Sequence, residues 1–307
     1  MPEMTIQQKR EWFRRTATDP RARAEFAASR ADVILPLLDE QSTVRAIFQV
    51  ENLGPGAQAR YDIPFEDIDC VFLMPQIGGV PFVQLEGAEM FVDTHGLDGG
   101  VEYQEDVAED GRFQVAQRAT ELLKNKFIAQ EEAAGWALIK AHAATLDTTQ
   151  QINGYAADGT EKGDGTGLLN IYTLNEAITT ADEIGVGGRR VTDIFVSPRR
   201  YGDLRNQVTM TALPEAMRQA IWNGGQGRSS EAEIRVHKVY NSDLVGDTRG
   251  YAFTQKQGFT YGVMPIRTPL RTRDNPIAQL EHKIGIHGRE RLGFAVLDSL
   301  GLIEIIF

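Results

Sequence analysis

One uninterrupted helical pattern, RFQVAQRATELLKNKFIAQEEAAGWALIKAHA over residues 112–143, constrains this chain more than any other feature. Val115, Ala119, Leu122, Ala129, Ala133, Trp136 and Ala143 recur at spacings of three, four or seven. Good helix formers fill most positions between them. At about 1.5 Å per residue, such a helix is on the order of 48 Å long, more than the width of a small domain. The rest of the chain must fold around it as around a spine. The 307 residues are enough for one large domain or two to three modest ones.

Before the spine come two different textures. Residues 6–16 (IQQKREWFRRT) predict a short amphipathic helix with Ile6, Trp12 and Phe13 on its apolar side. Asp19-Pro20 predicts the start of a second helix that runs through Ala31, with Pro36 limiting it. Large apolar residues are few here, so the segment reads as an arm that needs a neighbouring surface to lie on. From Val44 to about Val107 the runs VRAIFQV, ARYDI, DCVFLM, VPFVQL and EMFVD predict short strands, punctuated by glycine and proline. Strands so short and so acidic enclose little core, and a long hairpin extending from the body is expected.

After the spine, residues 151–167 form a glycine-rich polar loop. Beyond it we expect a helix with Leu174, Ile178, Ala181 and Ile184 on one face, the strand VTDIFV ending at Ser197, and the short helix RRYGDLRN. The helix ALPEAMRQAIWN and strands around IRVHKVY, YAFTQ and FTYGVM complete an α+β block from about 146 to 264. From Pro265 the chain turns extended again. Ala278, Leu280, His282, Ile284 and Ile286 alternate with more polar neighbours, a two-residue period for a long strand. The apolar ending RLGFAVLDSLGLIEIIF ties the C-terminus into the core.

Charge is unevenly distributed. The net charge is -11, yet residues 46–111 hold fourteen acids, among them Glu51, Asp62, Glu66, Asp67 and Asp69, against the single base Arg60. The remaining residues hold 31 bases and 29 acids. A pI near 5.0 argues against a protein that coats nucleic acid through a strongly basic face. The acidic stretch is either a solvated face or an element that docks on a basic surface of another copy.

Catalytic and ligand patterns are missing. The sequence contains no G-x-x-x-x-G-K-[ST], no G-x-S-x-G and no H-E-x-x-H. His282 and His287 lie five apart on a predicted strand and point to opposite faces, so they cannot share a metal. His142, at a helix end, is expected to act as a cation near terminal carbonyls. Cys70, the one cysteine, sits in an apolar run and reads as a buried thiol. No apolar run reaches the roughly 20 residues of a membrane span, and the polar, acid-containing start is unlike a secretory signal. We therefore expect no enzyme, cofactor, metal or membrane partner.

The order of parts (arm, acidic hairpin, spine helix, α+β block, closing strand) resembles the Hong Kong 97-type fold of tailed-phage major capsid proteins. The wording is nearest in VTDIFVSPRRYGDLRN (191–206), in YGVMPIRTPLRTRDNP and in LEHKIGIHGRERLGFAVLDSLGLIEI. The resemblance implies an N-terminal arm at 1–43, an extended β-hairpin loop at 44–90, a peripheral domain of 91–145 and 265–307, and an axial domain at 146–264. It implies pentamers and hexamers closing into an icosahedral virion capsid around double-stranded DNA, assembled in the bacterial host cytoplasm. Implied partners are further copies of itself, a portal, a separate scaffolding protein and a cement or decoration protein. Some members weld the shell through a loop lysine. No lysine lies between Lys9 and Lys124, so a non-covalent shell is expected.

In this frame Glu51, Asp62, Glu66, Asp67 and Asp69 of the loop would meet Arg267, Arg271 and Arg273 of a neighbour. Lys283, Arg289 and Arg291 enlarge that basic set, faced only by Asp274, Glu281 and Glu290. Lys9, Arg10, Arg14 and Arg15 of the arm are candidates for contact with packaged DNA. The alternative is an encapsulin-type compartment that encloses cargo enzymes.

Overall fold

The structure is a computed structural model in which the described residues are 21, 42–54, 56–63, 88–104, 113–156, 158–162, 166–184, 189–206, 234–241, 243–256, 260–274 and 283–307. In chain order these give α1 (Thr43–Ile47), β1 (Gln49–Asn52), β2 (Arg60–Ile63), β3 (Ala88–Phe91), β4 (His95–Gln104) and the spine helix α2 (Phe113–Ala143). There follow β5 (Gln151–Tyr155), β6 (Glu161–Lys162), α3 (Ile171–Glu183), β7 (Arg190–Val196) and α4 (Pro198–Asn206). The chain closes with β8 (Arg235–Lys238), β9 (Arg249–Gln255), β10 (Gly262–Asp274), β11 (Lys283–Leu292), β12 (Ala295–Val296) and β13 (Leu302–Ile306).

The strands form two larger sheets and a hairpin stem. The first sheet has the order β1-β10-β11-β4, with β12 pairing the start of β10. The second runs β6-β5-β13-β9-β7-β8. β2 and β3 pair antiparallel, Arg60 opposite Phe91 and Ile63 opposite Ala88, as the two legs of a hairpin. The connecting residues 64–87, which include Glu66, Asp67, Asp69 and Cys70, lie outside the described residues, as do Lys9, Arg10, Arg14 and Arg15, the helix expected at ALPEAMRQAIWN, and His282.

The spine helix is 31 residues long, as its pattern predicts, but the face it buries shares only Ala119, Trp136 and Ala143 with the predicted one. Leu122 is 48% exposed, and Ala129 and Ala133 also face solvent. The core side is Ala119, Leu123, Phe127, Glu131, Glu132, Trp136, Ile139 and Ala143. Two carboxylates in the middle of that face break the apolar stripe, so apolar spacing alone misplaces the stretch between Ala119 and Trp136. Phe127 seats on the first sheet where Gly99 and Gly288 leave room: a Cβ on Gly288 would meet its ring at 3.0 Å. Leu123, Phe127, Leu270 and Ile286 form that contact.

A larger cluster joins the two sheets. Val44, Phe48, Trp136, Ile139, Phe195, Tyr251, Met264, Leu292 and Leu302 share one core. Trp136 is its centre, fully buried and packed at 5.8 Å edge-on to Phe195 and 5.7 Å from Tyr251. Such aromatic pairs contribute about 0.5–1.5 kcal/mol beyond their buried area. A third cluster fills the second sheet, where Leu174, Ala177 and Ala181 of α3 pack on Ile194, Val196, Ile303 and Ile305.

Three sequence expectations change. VRAIFQV starts as a helix, because Ser42 caps it (its Oγ accepts the Arg45 amide at 3.3 Å) and Val44 is buried against the spine. The segment 265–307 divides between the sheets, with β10, β11 and β12 in the first and β13 in the second between β5 and β9. Finally, the His142 ring turns to Tyr261, where burial disfavours the cation expected at the helix end. Its half-buried Nδ1 lies 3.1 Å from the Tyr261 hydroxyl, and burial holds its pKa below the usual histidine value.

Candidate assembly surface

Along β10 the residues alternate. Ile266, Leu270 and Thr272 are buried, while Arg267, Arg271 and Arg273 point to the opposite, solvent-facing side. β11 continues the pattern: Ile286, Gly288, Glu290 and Leu292 turn inward, His287, Arg289 and Arg291 outward. Arg271 stands opposite Arg289 and Arg273 opposite His287, so the strand pairing assembles a shallow basic groove from five exposed cationic or imidazole groups and Thr268. Like charges this close repel, and the arrangement favours an anionic partner.

The basic set predicted from sequence is thinned by the chain's own acids. On β4, Asp98 approaches Arg289 at 3.5 Å and His287 at 3.8 Å, and Glu102 lies 4.0 Å from Lys283. Arg291 donates to the Thr94 carbonyl at 3.0 Å. Glu290 does not face the groove; it is buried on the other side of the sheet. Arg267, Arg271 and Arg273 have no ion-pair partner among the described residues and remain the strongest anion-seeking row.

Of the predicted acidic partners, Glu51 is exposed on β1, beside Tyr61, whose hydroxyl pKa is raised by burial and by the neighbouring Glu51. Asp62 is exposed on β2 opposite Glu89, and Glu89 pairs with Arg60. The Arg60 guanidinium also lies 5.8 Å from the centre of the Phe91 ring. These contacts fix the hairpin stem but leave the Asp62 carboxylate turned outward. The structure does not bring Glu51 or Asp62 into contact with the arginine row within one chain.

Two features escaped sequence reasoning. One is an apolar groove of about 740 Å³ between the hairpin stem, the spine and the first sheet, lined by Phe91, Leu97, Leu138, Leu292 and Phe294 among others. Phe91, at 63% exposure, stands at its mouth. The other is the buried polar joint that holds α1. Glu132 accepts hydrogen bonds from the amides of Thr43 and Val44, the hydroxyls of Ser42 and Thr43, and Trp136 Nε1. Arg45 grips Glu131 through Nε and Nη2, both at 2.9 Å, and reaches Glu290 at 3.2 Å. A buried glutamate four positions before a tryptophan, one helical turn away, gave no recognisable signal. Among the described residues no group of three or more His, Cys, Asp or Glu is placed to hold a metal, and no helix is long and apolar enough to cross a membrane.

A spine helix laid on one sheet, a second sheet sharing its core, and the antiparallel β2–β3 pair together define the Hong Kong 97-type capsid fold. Solved structures with this architecture match across nearly the whole chain. A chain of the head of Helicobacter pylori bacteriophage KHP40 gives a TM-score of 0.58 at 9% identity, covering 85% of this chain and 86% of its own. The capsid of cyanophage Pam1 gives 0.57 at 12% identity, covering 85% and 88%. An encapsulin complex from Synechococcus elongatus gives 0.51 at 10% identity, covering 85% of each. No protein-family model matches the sequence, and no curated protein does either.

Proposed function

We propose that this chain is a major capsid protein of a tailed phage, a non-enzymatic subunit that assembles through pentamers and hexamers into an icosahedral shell around double-stranded DNA. The observation that carries this reading is the Hong Kong 97-type fold, shared over most of the chain with phage head and capsid structures. The absence of lysine from 10–123 supports a shell held without lysine cross-links from the loop. A scaffolding protein, a portal, a cement or decoration protein and packaged DNA are the partners such a shell takes, and the host cytoplasm is where it is built.

Within the shell, the acidic loop of one subunit lies on the arginine row of the next. Exposed ion pairs contribute about 0.2–1 kcal/mol each, so they set register while apolar contacts supply most of the interface free energy. The double variant Arg271→Glu/Arg273→Glu tests this contact: it leaves circular dichroism unchanged and prevents the full chain from sedimenting as high-mass particles. Wild-type yields of particles from that variant would refute it. The encapsulin-type alternative draws on the Synechococcus elongatus match. Purified shells that hold enzyme cargo and no nucleic acid would favour it.

A further inference from the structure

The buried joint between the spine and the first sheet contains one positive and two negative side chains. Arg45, Glu131 and Glu290 have side chains that are 4%, 0% and 0% exposed. Arg45 is committed to Glu131 by two parallel hydrogen bonds, and it offers Glu290 only a share of Nη2. The second oxygen of Glu290, Oε2, is buried and finds no donor. Glu131 Oε1 and Glu290 Oε1 both accept from the same Arg45 Nη2, at 2.9 and 3.2 Å, which draws the two carboxyl groups together across the gap between α2 and β11.

Among the described residues, no other cation on the packed elements faces this pair. Opposite Glu290, β4 presents Leu97, while Asp98 points to the far face with Arg289 and Arg291. The inward residues of β10 are Ile266, Leu270 and Thr272. On α2, Glu132 is occupied with α1 and Trp136. Asp93, His95 and His142 stand across the groove that Glu131 borders. Two carboxylates and one guanidinium leave a net negative charge in a dry site, whereas one proton between the carboxyls removes it and satisfies an oxygen.

We infer that Glu131 and Glu290 share one proton that latches the spine helix to the first sheet, and that losing it at alkaline pH loosens this joint and α1 with it. Burial and the Glu131 charge push the Glu290 carboxyl up to about 8, in keeping with the geometry. The folded chain then carries an extra proton that the unfolded chain releases above the ordinary carboxylate range. Stability from the latch is full at acid pH and is lost as pH rises toward 8. The latch is a property of the single chain and stands whether or not the chain builds a shell.

Infrared spectroscopy of the full chain with carbon-13-labelled glutamate tests it. One protonated glutamate per chain is expected at pH 7, titrating away above pH 8; no protonated glutamate at pH 7 would overturn the latch. Unfolding profiles of wild type and Glu290→Gln give a second test. Relative to the variant, the wild-type unfolding constant should rise about tenfold per pH unit between pH 5.5 and 7.5. Parallel profiles would overturn the latch, and the infrared result decides if the variant fails to fold.

Discussion

Gly135 of the spine helix lies directly beneath Val44 of α1, so close that a methyl group added at Gly135 would overlap both Cγ atoms of Val44. Two helices from distant parts of the chain meet here without a spacer, and Val44 is fully buried as a result.

Gly135→Ala therefore has a diagnostic sign. In a free helix the change is stabilising by roughly 0.5–1 kcal/mol. Here overpacking should dominate and cost about 1–3 kcal/mol. Urea titration should show a lower midpoint for Gly135→Ala and partial recovery in Gly135→Ala/Val44→Ala; a raised midpoint in the single variant would contradict the contact.

Glu132 organises the start of α1. Its partners are all donors, from Ser42, Thr43, Val44 and Trp136. Glu132→Ala strands buried N–H groups, each worth about 1–3 kcal/mol. The expected loss is about 3 kcal/mol, with hydrogen exchange at residues 43–48 faster than in the second sheet. Uniform exchange across both would argue against a local anchor.

Arg189 and Asp298 form a buried pair, with Nη1 to Oδ2 at 2.6 Å and Nη2 to Oδ1 at 3.0 Å. Removing one partner leaves a buried charge uncompensated, a loss of about 3–5 kcal/mol. Arg189→Met should show that loss in thermal unfolding, and adding Asp298→Asn should restore part of it.

His142 and the Glu131–Glu290 pair respond to pH in opposite senses. Because burial lowers the histidine pKa in the fold, the unfolded chain takes up a proton first as pH falls below about 6.5. Stability from neutral His142 is present above that pH and is lost on acidification. Between pH 7.5 and 5, wild type should lose more stability than His142→Gln, measured as the change in Tm; equal losses would contradict a buried neutral imidazole.

The length of the spine, the α3 face and the strand before Ser197 could be read from sequence because local patterns fix them; the alternation expected over 278–287 lies largely outside the described residues. The spine's phase between Ala119 and Trp136 could not be read, since Glu131 and Glu132 occupy core positions that become acceptable only when Arg45 and the α1 amides arrive from 86 or more residues away. The same long-range partners turn the β-branched start VRAIF into a capped helix. Of the candidate surface, Arg267, Arg271 and Arg273 were legible as a charge cluster. The quenching of Arg289 and Lys283 by Asp98 and Glu102 depends on strand register, which one-dimensional charge counting does not contain.

Cryo-electron microscopy of the full chain, expressed with and without a scaffolding protein, tests the central claim most directly. The account predicts closed shells with subunits around five-fold and six-fold axes, each hairpin lying on the arginine row of a neighbour. A stable monomer that forms no high-mass particles under any of these conditions would contradict it.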